Sequence, residues 1–104
     1  MVFYIDTSEF EKVTLAIKVA GKLTVKTYLV KHTESFKMLS HLEKFFKTQK
    51  LDVKAPKIKS LVACKGPGSY TGVRVGAAIV KALGLAWKIK PKFVGKAQME
   101  KYLK

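Results

Sequence analysis

Gly66-Pro67-Gly68-Ser69-Tyr70-Thr71-Gly72 lies between a short apolar run and a long helical stretch, where phosphate-binding loops are found. The free N–H groups of a helix start, with the positive end of its dipole, suit an anion there. The spacing matches neither common pattern. No Gly-Lys-Ser/Thr follows, as a Walker loop requires, and Gly66, Gly68 and Gly72 are out of register with GxGxxG. The alternative is a turn that needs glycine for positive φ, with Ser69 or Thr71 capping the next helix. Spacing leaves both open. Asp6 ends the first apolar run and could hold a hydrated metal or cap the turn after it. His32 and His41 stand nine residues apart, far from the i, i+4 spacing of a shared helix face, and read as surface histidines. Cys64 reads as a small buried hydrophobe. There is no nucleophile–base arrangement and no carboxylate pair placed for acid–base work, so no catalytic residue, cofactor or metal is expected.

Composition narrows the class. The chain of 104 residues carries 21 Lys+Arg against 7 Asp+Glu, a net charge of +14, yet is 48% hydrophobic. That is enough apolar material for one packed domain and argues against disorder. One cysteine excludes a disulfide framework or a cysteine-based zinc site and fits a reducing cytoplasm. No stretch approaches the roughly 18 consecutive apolar residues of a membrane span. Met1-Val2-Phe3-Tyr4-Ile5-Asp6 lacks the basic start and cleavage site of a signal peptide. Arg74 is the single arginine among the cations. Recognition of phosphates and bases usually keeps several arginines for their bidentate fork, so the lysines read as a solvated coat with salt-dependent attraction for RNA.

The elements that must position these residues follow from periodicity. Val2-Phe3-Tyr4-Ile5 reads as a buried strand running into the turn Asp6-Thr7-Ser8. Residues 13–19 and 23–30 alternate around Ala20-Gly21-Lys22, a hairpin. Met38, Leu39, Leu42, Phe45 and Phe46 then recur at three- and four-residue steps, an amphipathic helix with Thr33 or Ser35 as its cap. A polar link with Pro56 leads to a strand over Ser60–Cys64, the glycine loop, a helix from about Thr71 to Lys88, a strand at Phe93-Val94-Gly95 and a closing helix over Ala97–Lys104. The order β-β-β-α-β-α-β-α predicts an α/β fold, a mixed five-stranded sheet with helices against it.

The second helix is apolar nearly all round. Arg74, Lys81 and Lys88 are spaced by seven and share one narrow stripe. One flank of the stripe carries Val75, Ile79, Ala82 and Ala86. The other carries Val73, Ala77, Val80, Gly84 and Trp87, with Leu83 opposite the charges. A helix lying on a sheet needs one apolar face, and this one has two. So small a chain lacks material for another layer, so a protein–protein interface is expected here. Gly72, Gly76, Ala77 and Gly84 would admit a neighbouring backbone. The predicted interface comprises Met38, Leu42, Phe45, Val73, Gly76, Ala77, Val80, Leu83, Gly84 and Trp87. Val80→Glu is expected to abolish pairing and spare the fold.

With these residues assembled, the chain resembles the N-terminal lobe of the TsaB (YeaZ) family of tRNA threonylcarbamoyladenosine biosynthesis proteins, in the actin/hexokinase/Hsp70-like superfamily. The resemblance rests on Ile5-Asp6-Thr7-Ser8, on His32, and above all on Gly66-Pro67-Gly68-Ser69-Tyr70-Thr71-Gly72 continuing to Arg74, Gly76 and Lys81. Val94-Gly95 and Glu100 match the next element. Tyr70, Val73 and Ala82 stand where the family usually has Phe, Leu and Gly. The resemblance covers residues 1–104 as a single actin-like lobe and about half of the family's two-lobed protein. With the second lobe missing, an interlobe nucleotide cleft is incomplete, and Asp6, Gly66, Gly68, Ser69, Thr71, Gly72 and Arg74 become a structural or vestigial phosphate motif.

The role the resemblance implies is non-catalytic. The family pairs with its paralogue TsaD, the threonylcarbamoyl transferase, assisted by the ATPase TsaE. The pairing uses helices equivalent to 35–49 and 71–88 here. A lone lobe is expected to form a two-fold homodimer, and in the cytoplasm a heterodimer with a TsaD-like transferase, with tRNA held nearby by the lysine coat and no membrane involved. The alternatives are a truncated actin-like nucleotide-binding protein and a basic RNA-binding module. The first needs a second lobe or a metal cluster, and the single arginine argues against the second.

Overall fold

The computed structural model describes residues 1–34, 36–52, 54 and 57–104, and all but the side chains of His32 and Tyr70 among them. Ser35 and Pro56, assigned above to a helix cap and a polar link, lie outside the described residues. The elements are β1 (Val2–Asp6), β2 (Lys12–Val19), β3 (Lys22–Leu29), a 3₁₀ turn (His32–Glu34), α1 (Lys37–Thr48), β4 (Ser60–Cys64), α2 (Tyr70–Trp87), β5 (Lys92–Val94) and α3 (Lys96–Tyr102). They form one mixed sheet in the order β3-β2-β1-β4-β5. β1 is antiparallel to β2 and parallel to β4, and β5 is parallel to β4. The predicted order and sheet are observed.

Alternation sorts the strand residues onto two faces. Phe3, Ile5, Val13, Leu15, Ile17, Leu61 and Ala63 build the larger core under α1 and α2. Tyr4, Ala16, Val62, Cys64 and Val94 build the smaller one with Met99 of α3. α1 contributes Met38, Leu42, Phe45 and Phe46, all buried, at the spacing of one helix face. Phe3, Phe46 and Trp87 fasten both helices to the sheet, with ring centroids 5.0 Å apart for Phe3–Phe46 and 5.6 Å for Phe46–Trp87.

Two local expectations are corrected. Thr33 does not cap α1: it sits in the 3₁₀ turn, and Phe36 holds the N-cap position with helical dihedrals and no side-chain hydrogen bond. The Glu34 N–H donates to the Lys31 carbonyl at 2.8 Å, which holds Thr33 inside the turn and away from the cap position. The second correction concerns the inner face of α2. Val80 is fully buried, Gly76 and Gly84 are buried, and Val73, Ala77, Leu83 and Trp87 are half-buried. With Met38, Leu42 and Phe45 in the core, none of the residues predicted as interface is exposed. They hold the lobe together, because the sheet needs one apolar helix face and this flank supplies it.

Candidate functional site

The Asp6 end of β1 meets the glycine loop. The Ser8 N–H and hydroxyl donate to Asp6 Oδ1 at 2.8 and 2.6 Å, closing the tight turn after the strand. Asp6 Oδ2 accepts from Lys96 Nζ at 2.7 Å, and Lys96 also lies 3.5 Å from Glu9. Burial by itself would push the Asp6 carboxyl up. The hydrogen bonds from Lys96 and Ser8, with the Lys96 charge, outweigh it and hold the group below its ordinary value. For Lys96, burial pulls the ammonium down, but Asp6 first and then Glu9 raise it above the ordinary lysine range. The carboxylate is thus already neutralised by a cation of its own chain.

The loop is strapped to this turn. The Ser69 N–H donates to the Ser8 carbonyl at 2.6 Å, and the Thr7 hydroxyl donates to the Gly72 carbonyl at 2.7 Å. Ser69 caps α2 by accepting from the Gly72 N–H at 3.3 Å. The expectation of Ser69 or Thr71 at the cap is met by Ser69, while Thr71 is exposed in the first turn. Amides that would cradle an anion at positions 69 and 72 are therefore occupied. Gly68, Gly72 and Gly76 recur every four residues, and a side chain on any of them would run into Thr7 or Ser8. Gly66 has φ +98°, the left-handed region glycine favours, and its carbonyl accepts from the Lys96 N–H at 2.9 Å. The structure thus brings Asp6, Gly66, Gly68, Ser69 and Gly72 together. Arg74, one turn on, is exposed on the flank of α2. Lys96, ninety residues from Asp6, belongs to the same cluster and escaped sequence reasoning, since nothing near Asp6 in the chain signals it.

The outer side of α2 is the second candidate. Ala78, Ala82, Leu85 and Ala86 are exposed, Leu85 by 83%, with Val75 and Ile79 half-buried beside them and Arg74 and Lys81 along one edge. Val75, Ile79, Ala82 and Ala86 are the flank that the predicted interface omitted. Leu85 was missed altogether, although five steps of about 100° from an inward Val80 place it on the far side. Near the start of α2, a narrow apolar groove runs between Phe10, Met38 and Val75. His41 is half-buried, with its ring stacked on Tyr28 at 4.6 Å, and lines a hollow with Glu34 and Lys37. His41 and the Asp6 turn do not meet, and among the described residues no three His, Cys, Asp or Glu gather as a metal site. No helix of the described residues is long and apolar enough to cross a membrane.

A three-stranded antiparallel unit continued by two parallel strands, with a glycine loop seated on the end of β1, defines a single actin-like lobe. The family model described as "TsaD: tRNA N6-adenosine threonylcarbamoyltransferase" matches residues 29–100, more than half of the chain, and the chain belongs to this family. No curated protein matches it by sequence. Among solved structures, YeaZ from Pseudomonas aeruginosa is similar, with a TM-score of 0.77 at 19% identity over 90% of this chain and 43% of that one. A crystal structure described as an uncharacterized protein with similarity to peptidase YEAZ, from Pseudomonas aeruginosa, gives a TM-score of 0.78 at 19% identity, covering 90% and 42%. The likeness is one of fold, and the chain spans less than half the length of either structure.

Proposed function

We propose that the chain is a docking subunit in the formation of threonylcarbamoyladenosine on tRNA, presenting the outer face of α2 to an actin-like lobe of a TsaD-like transferase and taking no part in the chemistry. The family match supports the pathway. The observation that carries the docking role is Leu85, 83% exposed on a helix face that also presents Ala78, Ala82 and Ala86, with Lys81 and Lys88 beside it. Small side chains let two helix backbones approach closely, and a single large hydrophobe gives the contact its anchor. The Asp6–Lys96 pair supports the non-catalytic part of the reading, because a carboxylate held by its own lysine is poorly placed to receive a magnesium–nucleotide complex. In the absence of the transferase the same face pairs two copies of the chain.

The test is the mass in solution by light scattering after size exclusion, for the chain alone and mixed with its cognate transferase subunit. A homodimer that exchanges into a one-to-one complex is expected. A strict monomer that ignores the transferase overturns the reading. Calorimetry with ATP and magnesium addresses the nucleotide-binding alternative, which micromolar affinity would revive.

A further inference from the structure

The lysines are unevenly placed once the chain is folded. Lys18 and Lys22 flank the β2–β3 turn, Lys59 precedes β4, Lys88 and Lys90 lie between α2 and β5, and Lys92 opens β5. All six are exposed and, among the described residues, none is in an ion pair. They gather at the end of the sheet where β1, β4 and β5 begin, the Lys59 N–H donating to the Met1 carbonyl. Asp6, Glu9, Glu11 and Glu34 cluster at or near the opposite end, Glu43 and Glu100 are on helices, and Asp52 is in the link that runs from α1 to β4. Among the described residues, no carboxylate lines the groove at this end.

This end carries a groove of about 250 Å³ on the α3 side of the sheet, lined by Val2, Tyr4, Lys59, Ser60, Lys90 and Tyr102 among others. Register places the walls of the groove, and Lys18 just outside them. Val2 pairs with Lys18 on one side and Ser60 on the other, and Val62, beside Tyr4, pairs with Lys92. Lys18 and Lys92 therefore face the same side, three strands apart, or about 14 Å. Between them the Tyr4 and Tyr102 rings meet at 5.4 Å, with Tyr102 half-open to solvent. A positively charged trough with an aromatic floor is the arrangement that holds a nucleic-acid strand by its phosphates and stacks a base. A membrane surface is the poorer fit, because Phe10, Leu29, Phe36 and Leu85, the most exposed large hydrophobes, do not line the groove.

We propose that this end of the lobe is a docking surface for the RNA phosphodiester backbone, on the side of the sheet opposite the α2 face assigned to the protein partner. Lysines as point charges give it affinity without sequence preference. The choice of RNA among polyanions rests on the function proposed above. The test uses the isolated full chain, so its failure leaves the pairing experiment untouched.

The experiment compares two variants of equal net charge by fluorescence anisotropy, with labelled tRNA and a short single-stranded RNA over a range of salt. One carries Lys18→Gln, Lys59→Gln, Lys90→Gln and Lys92→Gln. The other carries Lys12→Gln, Lys26→Gln, Lys44→Gln and Lys65→Gln, exposed lysines outside the groove. Loss of four phosphate contacts should lower the salt slope by about 3 and weaken single-strand binding at moderate salt on the order of a hundredfold in the first variant only. Lys90→Gln alone should lower the slope by about 0.7. Equal losses in the two variants would reduce the patch to a diffuse coat and overturn the proposal, as would tighter binding to phosphatidylserine vesicles than to RNA at the same salt.

Discussion

Leu85 and Val80 lie five residues apart on α2 and should respond to the same change in opposite ways. Leu85 is 83% exposed, so Leu85→Ala removes almost nothing from the core of the lone lobe and places a slightly better helix former on the surface. Its melting temperature should stay within about 2 °C of the parent. At a helix–helix contact the same side chain would lose most of its exposure, and burying a leucine is worth about 2 kcal/mol, so pairing should weaken about thirtyfold. Val80 is fully buried against the sheet. Val80→Ala loses two methyl groups and leaves a cavity, together about 2 kcal/mol, or roughly 8–10 °C in melting temperature for a domain of this size. Val80→Glu, which the sequence reading would use to break pairing, should fail to fold because it buries an unpaired charge. The assay is a thermal melt at high dilution, where association adds no stability, beside light scattering at high concentration. If Leu85→Ala lowers the melt of the dilute chain as far as Val80→Ala does, the orientation of α2 is wrong. If it leaves self-association and transferase binding unchanged, the outer face is not the docking surface.

The remaining predictions concern the turn that seats the glycine loop and the core beneath it. Gly76→Ala gains about 1 kcal/mol of helix propensity but drives a methyl group into the Thr7 side chain, so a net loss of about 1–2 kcal/mol is expected by denaturant titration. Thr7→Ala combined with it should cost less than the sum of the two, whereas strict additivity would show that they do not touch. Asp6→Asn leaves Lys96 with a weakened partner and should cost about 2 kcal/mol near neutral pH. Because the folded Asp6 value is depressed, its contribution is present above about pH 4, the ordinary carboxylate value, and fades as pH falls through the depressed one. The variant should therefore show a flatter acid limb in urea titrations, and a limb identical to the parent's would remove Asp6 from the account. Lys96, raised on folding, holds its contribution below its ordinary value near pH 10.4 and loses it above that. Cys64 is buried at the end of β4, so a thiol reagent should modify it only as fast as the lobe opens, and rapid labelling of the native chain would contradict its placement.

Much of the architecture was legible in the chain because it rests on local rules. Period-two alternation at β2, the Gly21 turn, the heptad of cations on α2 and the glycine loop before it are each set by near neighbours, and the observed element order follows them. The first face of α1 was equally plain, since Met38, Leu42, Phe45 and Phe46 can share only one side. What periodicity does not carry is which of two apolar faces turns inward. On α2 both flanks satisfy the sheet in hydrophobicity, and the choice was made by shape: Gly72, Gly76 and Gly84 leave room only where Thr7, Ile89 and Pro91 press against the helix, and that contact drags Val80 inside and Leu85 out. The same limit hid the partner of Asp6. A lone carboxylate in sequence is a weak signal, and only the return of the chain through β5 to α3 brings Lys96 to 2.7 Å from it. The lysines, too, read along the chain as an even coat. Folding sorts them, because strand ends distant in sequence are neighbours in a sheet, and charge acts through space.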